Sequence, residues 1–184
     1  MFIIKKNYYL YIENIKDLNL EELINKKKFN IILKSIKNNK LSEIKRFRQK
    51  CKNKKIKFYI ANNAKVAKSC NADGLYISAY NKQKYYINIY KIGSAHNINE
   101  INLKYNQGCK KVIVSRLFKT NYENKKSFFG VLKFNLLNNN IKKNIIPLGG
   151  INADNLLKLN MVKSDGFAVL SAVKKKPAIY SRLF

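Results

Sequence analysis

Short apolar runs recur along the chain, each closed by polar or turn-forming residues. Tyr8–Ile12 is aromatic and β-branched, and Phe29–Leu33, Ile56–Ala61, Asp73–Ile77, Ile87–Gly93, Lys111–Val114, Ile145–Leu148 and Asp165–Leu170 follow it. These runs are continuous rather than alternating, the pattern of strands buried on both faces. Strand ends are expected near Ile12, Leu33, Ala61, Ile77, Gly93, Val114, Leu148 and Leu170.

The intervening segments carry helical spacing. Asp17–Ile24 places Leu18, Leu20, Leu23 and Ile24 as a short helix. Ser42 is expected to cap a helix whose apolar positions Ile44, Phe47 and Cys51 fall three and four apart. Asn62 or Asn63 caps one over Val66, Ala67 and Cys70. Tyr80–Lys84 is polar and predicts no helix. Asn97 caps a helix through Ile98, Ile101 and Leu103, and Gly108 follows it as a left-handed terminator. Leu117–Lys126 reads as a polar loop, Ser127–Leu137 as weakly helical, and Ala178–Leu183 as a final short helix.

Parallel neighbours need crossovers, which helices supply. Eight alternating units predict a compact (β/α)8 TIM barrel, here one domain over residues 1–184. The chain is short for that fold, so some helices must be trimmed, and the connection between the fourth and fifth strands is the expected place. An open doubly wound sheet is the alternative.

One stretch carries chemistry of its own. Ile145–Leu148 runs into Gly149-Gly150, and Asn152 or Asp154 can cap a helix through Leu156, Leu157 and Leu159. A strand that ends in glycines and opens a helix points N–H groups at one spot, which suits a phosphate. The end of the last strand, Leu170-Ser171, offers a second set of amides beside it. Paired loops after strands seven and eight hold phosphate in many barrels. The expectation is that Gly150→Val weakens phosphate-ester binding and leaves thermal unfolding nearly unchanged.

Composition narrows the alternatives. Hydrophobic residues make up 46% of the 184, and the net charge is +28. Such charge points to nucleic acid or anionic surfaces in general. Here the lysines are spread along the whole chain among many Asn and Ile, which fits compositional drift better than a nucleic-acid interface. The three cysteines, Cys51, Cys70 and Cys109, are odd in number and widely spaced. They form neither a metal pair nor a disulfide framework, so a reducing cytoplasm is expected. The start, Met1–Lys6, is charged too soon for a secretory signal. The partner expected is a small phosphate ester rather than a membrane or nucleic acid; a homo-oligomer is compatible with the sequence.

Several motifs then fall into a familiar order. Ile60-Ala61-Asn62-Asn63, Ala72–Ile77, Ile92-Gly93-Ser94-Ala95-His96, Ile146–Ile151 and Ser164–Ala172 together resemble the thiamine phosphate synthase/TenI superfamily, over roughly residues 28–184. The resemblance implies a (β/α)8 barrel. In the synthase branch it implies a transferase that joins an aminopyrimidine pyrophosphate to thiazole phosphate, with Mg²⁺ and basic side chains taking up the leaving group's charge.

The resemblance also assigns residues. Gly149, Gly150, Leu170 and Ser171 match the amides that hold the thiazole phosphate, and Thr120 matches a threonine of the loop after strand six. Asn62 falls in the substrate motif. Lys34 or Lys37 stands loosely for the basic residues after strand two. Asn63 and Asn81 stand where the family places Mg²⁺ carboxylates. An amide oxygen can ligate Mg²⁺ but adds no charge, so this set supports Mg²⁺ poorly. His96, with Ser94 two residues before it, matches the histidine that shuttles a proton in TenI-type thiazole tautomerases. Histidine suits that role near neutral pH. The sequence therefore leaves open a synthase, a TenI-like tautomerase and a non-catalytic phosphate-ligand binding protein, with a basic nucleic-acid-binding domain as the outlier.

Overall fold

A computed structural model describes residues 5–23, 28–120, 127–141 and 143–169. Its strands are β1 (Asn7–Ile12), β2 (Phe29–Leu33), β3 (Lys57–Ala61), β4 (Gly74–Ile77), β5 (Tyr90–Ala95), β6 (Lys111–Ser115), β7 (Ile145–Leu148) and β8 (Gly166–Val169). They pair in sequence order, all parallel, and β8 returns to β1 to close the barrel. The open doubly wound sheet is thereby excluded.

Two apolar layers result from strand alternation. Tyr9, Tyr11, Ile32, Tyr59, Ala61, Tyr76, Ile92, Ile113, Ile146 and Ala168 fill the barrel interior. The alternate residues, such as Leu10, Ile12, Phe29, Ile31 and Phe58, face outward and pack with Ile44, Phe47 and Phe134 of the surrounding helices. Both faces of each strand are buried, which is why the strands read as continuous apolar runs.

Among the described residues the α-helices are α1 (Leu41–Asn53), α2 (Ala64–Ser69), α3 (Ile98–Asn106) and α4 (Gly130–Ile141). Asn63 caps α2 by accepting the Val66 N–H, and Asn97 caps α3 by accepting the Glu100 N–H. Gly108 follows α3 with φ +85°. No helix joins β4 to β5, as expected. Among the described residues, no helix is long and apolar enough to cross a membrane.

Three expectations need correction. Ser42 lies inside α1, and Lys40 is the N-cap: the Glu43 carboxylate accepts the Lys40 N–H at 3.1 Å. The first connection holds two 3-10 turns, Ile15–Asp17 and Leu20–Glu22, rather than one α-helix. Asn14 and Asn19 cap these turns separately and so break the continuity. The helix expected after β7 does form, over Ala153–Met161 with 3-10 geometry, and Asn152, one of its two expected caps, is the N-cap. β5 begins at Tyr90 rather than Ile87, because Ile87 and Ile89 pack on the outer core as part of the connection. The final helix expected over Ala178–Leu183 lies outside the described residues.

Candidate functional site at the carboxyl mouth of the barrel

Strand register decides which side chains meet at the mouth. Ala95 pairs with Val114, so the next residue on each strand, His96 and Ser115, come side by side. Ser115 Oγ lies 2.8 Å from His96 Nδ1. With the ring proton on Nε2, the serine hydroxyl donates to Nδ1 and leaves Nε2 for proton exchange. The His96 backbone N–H donates to Glu100, which ties the strand end to the first turn of α3.

His96 and Ser115 line a cavity of about 500 Å³ together with Arg116, Ser127, Phe128, Phe129 and Lys133. Two cations and an exposed histidine around an open cleft suit an anionic ligand. Arg116 donates to Thr120 Oγ1 and, at 2.8 Å, to the Ser127 carbonyl. Thr120 therefore sits at the cavity edge by way of Arg116.

Gly149 and Gly150 border the same corner. Both have positive φ, +96° and +70°. Their carbonyls are engaged within the protein: Gly149 accepts from the Phe118 N–H at 3.1 Å and Gly150 from Asn155 Nδ2 at 2.6 Å. A Cβ at Gly149 would stand 3.2 Å from Arg116 Cγ, which sets the turn against the stem of that arginine. A Cβ at Gly150 would collide with the Phe118 carbonyl. This overturns the expectation that Gly150→Val leaves unfolding unchanged: the loop after β6 occupies the space a side chain would need. Leu170 and Ser171, the other half of the expected cradle, lie outside the described residues.

Ser94 is buried one step below His96, at 8% exposure. It hydrogen-bonds the Tyr76 hydroxyl, which also accepts from Tyr11 at 3.1 Å. Burial raises the Tyr76 pKa above its ordinary value, and the bonds to Ser94 and Tyr11 partly oppose that. Ser94 thus belongs to a neutral hydroxyl floor under the mouth.

The opposite side of the mouth is built differently. Ile12 pairs with Leu33, so Glu13 and Lys34 are adjacent, and Lys34 Nζ lies 2.8 Å from Glu13 Oε1. Lys37 is exposed on the following turn. Neither lysine lines the cavity that holds His96. Asn62, at φ +54°, bonds Ser78 and Asn81: its Oδ1 accepts from the Ser78 N–H and from Asn81 Nδ2, each at 3.0 Å.

Asn63 and Asn81 do not fit a Mg²⁺ site. Asn63 Oδ1 accepts the Val66 N–H at 2.9 Å, and Asn81 Oδ1 accepts the Gln83 N–H at 2.8 Å. Asn81 turns its NH₂ group, not an oxygen, towards Asn62 and Tyr85. Among the described residues no cluster of three or more His, Cys, Asp or Glu could hold a metal ion.

A family model described as thiamine monophosphate synthase matches residues 20–173. The chain belongs to that family. It is 30% identical over 128 residues to a thiamine-phosphate synthase of Clostridioides difficile, covering 65% of this chain and 60% of that protein. It is 28% identical over 144 residues to one of Prochlorococcus marinus, covering 74% of this chain and 41% of that protein. The chain thus spans less than two thirds of the length of these curated relatives. A solved thiamine phosphate pyrophosphorylase from Pyrococcus furiosus superposes with a TM-score of 0.73 at 20% identity, over 97% of this chain and 93% of that chain. At that identity the likeness shows the shared barrel.

Three residues of the mouth, Ser115, Arg116 and Lys133, escaped the sequence reading. Ser115 was hidden because a serine at a strand end carries no motif; only the β5–β6 register reveals it. Arg116 stands in Val114-Ser115-Arg116-Leu117, and its place just past a strand end was the one available signal.

Proposed function

We propose that the protein is a thiamine-biosynthesis barrel that binds thiazole phosphate, or a close phosphorylated relative, at the mouth of β5–β7. The observation that supports this most is one cavity that gathers His96, Ser115, Arg116 and Lys133 beside the Gly149-Gly150 turn. The phosphate would lie near the two cations and the heterocycle near His96. Family membership supports the transferase reaction, joining an aminopyrimidine pyrophosphate to this nucleophile. The replaced acids place no step on Mg²⁺, so any stabilisation of departing pyrophosphate falls to the chain's own cations. Calorimetry with thiazole phosphate in metal-free buffer tests the reading. Saturable binding that Lys133→Met weakens supports it; no binding, or binding that requires Mg²⁺, overturns it.

The His96–Ser115 contact favours a second reading, a TenI-like proton shuttle on a thiazole carboxylate phosphate. Histidine needs no metal for that step. Deuterium exchange into that substrate, lost in His96→Asn, supports the shuttle. Formation of thiamine phosphate from both substrates, with no exchange in the carboxylate, supports the transferase. Binding with neither turnover leaves a phosphate-ligand binding protein.

A further inference from the structure

The connection that lost its helix, residues 78–89, has a second peculiarity. Its carbonyl groups turn inward against α3, and a buried carbonyl outside a helix or sheet needs a donor from elsewhere. α3 and its C-cap supply two. Lys104 is fully buried, at 0% exposure, and its Nζ donates to the Ser78 and Asn81 carbonyls, both at 2.7 Å. Gln107, 3% exposed, donates from Nε2 to the Asn81 and Gln83 carbonyls at 3.1 and 2.8 Å. Gln107 Oε1 is itself buried without a partner. The Lys104 stem reaches this position across β5 at Gly93, where a Cβ would stand 2.7 Å from Lys104 Cγ.

The carbonyls held by Lys104 belong to the two residues whose other groups grip Asn62. Asn62 Nδ2 donates to Ser78 Oγ, and Asn81 Nδ2 donates to Asn62 Oδ1. A continuous chain of contacts therefore runs from a buried ammonium to an asparagine at the mouth.

We infer that Lys104 is the positioning residue of the β3–β4 side of the mouth, a built-in cation seated among carbonyl oxygens where a free monovalent cation could otherwise sit. Its ammonium fixes the backbone at Ser78 and Asn81, and these fix Asn62. A plain packing role would require only the stem; the buried carbonyls require the N–H donors at its end. Burial lowers the Lys104 pKa from its ordinary value, with Cys109 and Glu100 opposing that shift.

Hydrogen exchange on the full chain, without ligand, tests this independently of the thiazole phosphate reading. Lys104→Ala should speed exchange of amides in 78–83 on the order of 10- to 100-fold, the scale of lost charge-assisted hydrogen bonds. Strand amides of β1 and β2 should keep their protection. Propylammonium or K⁺ should restore the loop, and choline, too large for the cleft, should not. Gly93→Ala serves as the second variant: it keeps the charge but displaces the stem, and should loosen the same amides if Lys104→Ala fails to fold. Uniform loss of protection across the barrel, unchanged loop exchange, or no rescue by any small cation would each overturn the inference.

Discussion

His96 Nδ1 and Ser115 Oγ meet at 2.8 Å because the β5–β6 register sets their strand ends level. Neither residue reaches the other through the sequence; the barrel brings them together. His96→Asn should lower any proton-transfer turnover by about 10²–10⁴-fold, the usual share of a positioned acid/base. Ser115→Ala should cost far less, about five-fold, one ordinary hydrogen bond. Turnover of the two variants measured side by side checks the assignment: His96→Asn should lose far more than Ser115→Ala.

Gly150 should prove structural before it proves functional. Its φ of +70° and the Phe118 carbonyl packed against its α-carbon oppose any side chain. Gly150→Ala should destabilise by more than about 1 kcal/mol, visible as a lowered melting temperature. Lys133 is exposed and lines the cavity. Lys133→Met should reduce thiazole phosphate affinity while leaving the melting curve in place, which makes it the cleaner probe of phosphate binding.

The two asparagines at the expected metal positions should respond differently to added charge. Asn63→Asp keeps an oxygen for the Val66 N–H and remains a good N-cap, so stability should change little. Asn81→Asp removes both donors from the NH₂ group and should destabilise by about 1–3 kcal/mol. Urea unfolding measures both. In the wild-type protein, Mn²⁺ titration followed by electron paramagnetic resonance should show no saturable site at β3–β4.

Three thiols should be silent in the folded protein. Cys51, Cys70 and Cys109 are buried. Burial pushes the Cys51 thiol up to about 12 and the Cys109 thiol up to about 11, from an ordinary 9.0. The folded protein therefore holds these protons at pH values where the unfolded chain releases them. The resulting stability is fully present below pH 9 and is lost as pH rises through 11 to 12. Aromatic disulfide reagents at pH 8 should label no thiol before urea is added. Unfolding free energy should fall less steeply above pH 9 in Cys109→Ala than in the wild type.

The strands were legible because each is buried on both faces and so reads as an uninterrupted apolar run. Tyr8–Ile12 and Ile145–Leu148 needed nothing more. The β5 boundary was not legible, since Ile87 and Ile89 look like strand residues while serving the outer core. The α1 start misled for a related reason: Ser42 is a good cap by type, but the Glu43 carboxylate had already reached Lys40. At the mouth, His96 stood out as the one histidine of the chain. Lys104 and Gln107 did not, because lysine and glutamine on a helix ordinarily face water. The spacing of Lys104 from Ile101, three residues on, was the signal that it shares the buried side, whereas Gln107 lies past the helix at its C-cap and carried none. The carbonyls awaiting them come from a connection distant in sequence.

Barrel closure by β1 and β8 has a consequence during synthesis. Asn7 pairs with Gly166 and Leu10 with Val169. The first strand must therefore wait until residues 166–169 are made before its second neighbour exists. Until then a growing chain carries two open parallel edges, one of them the aromatic run Tyr8–Tyr11, and such edges invite pairing with other chains. Contacts of such wide sequence separation also form slowly. Synthesis is therefore a stage at which these edges must be kept apart from other chains.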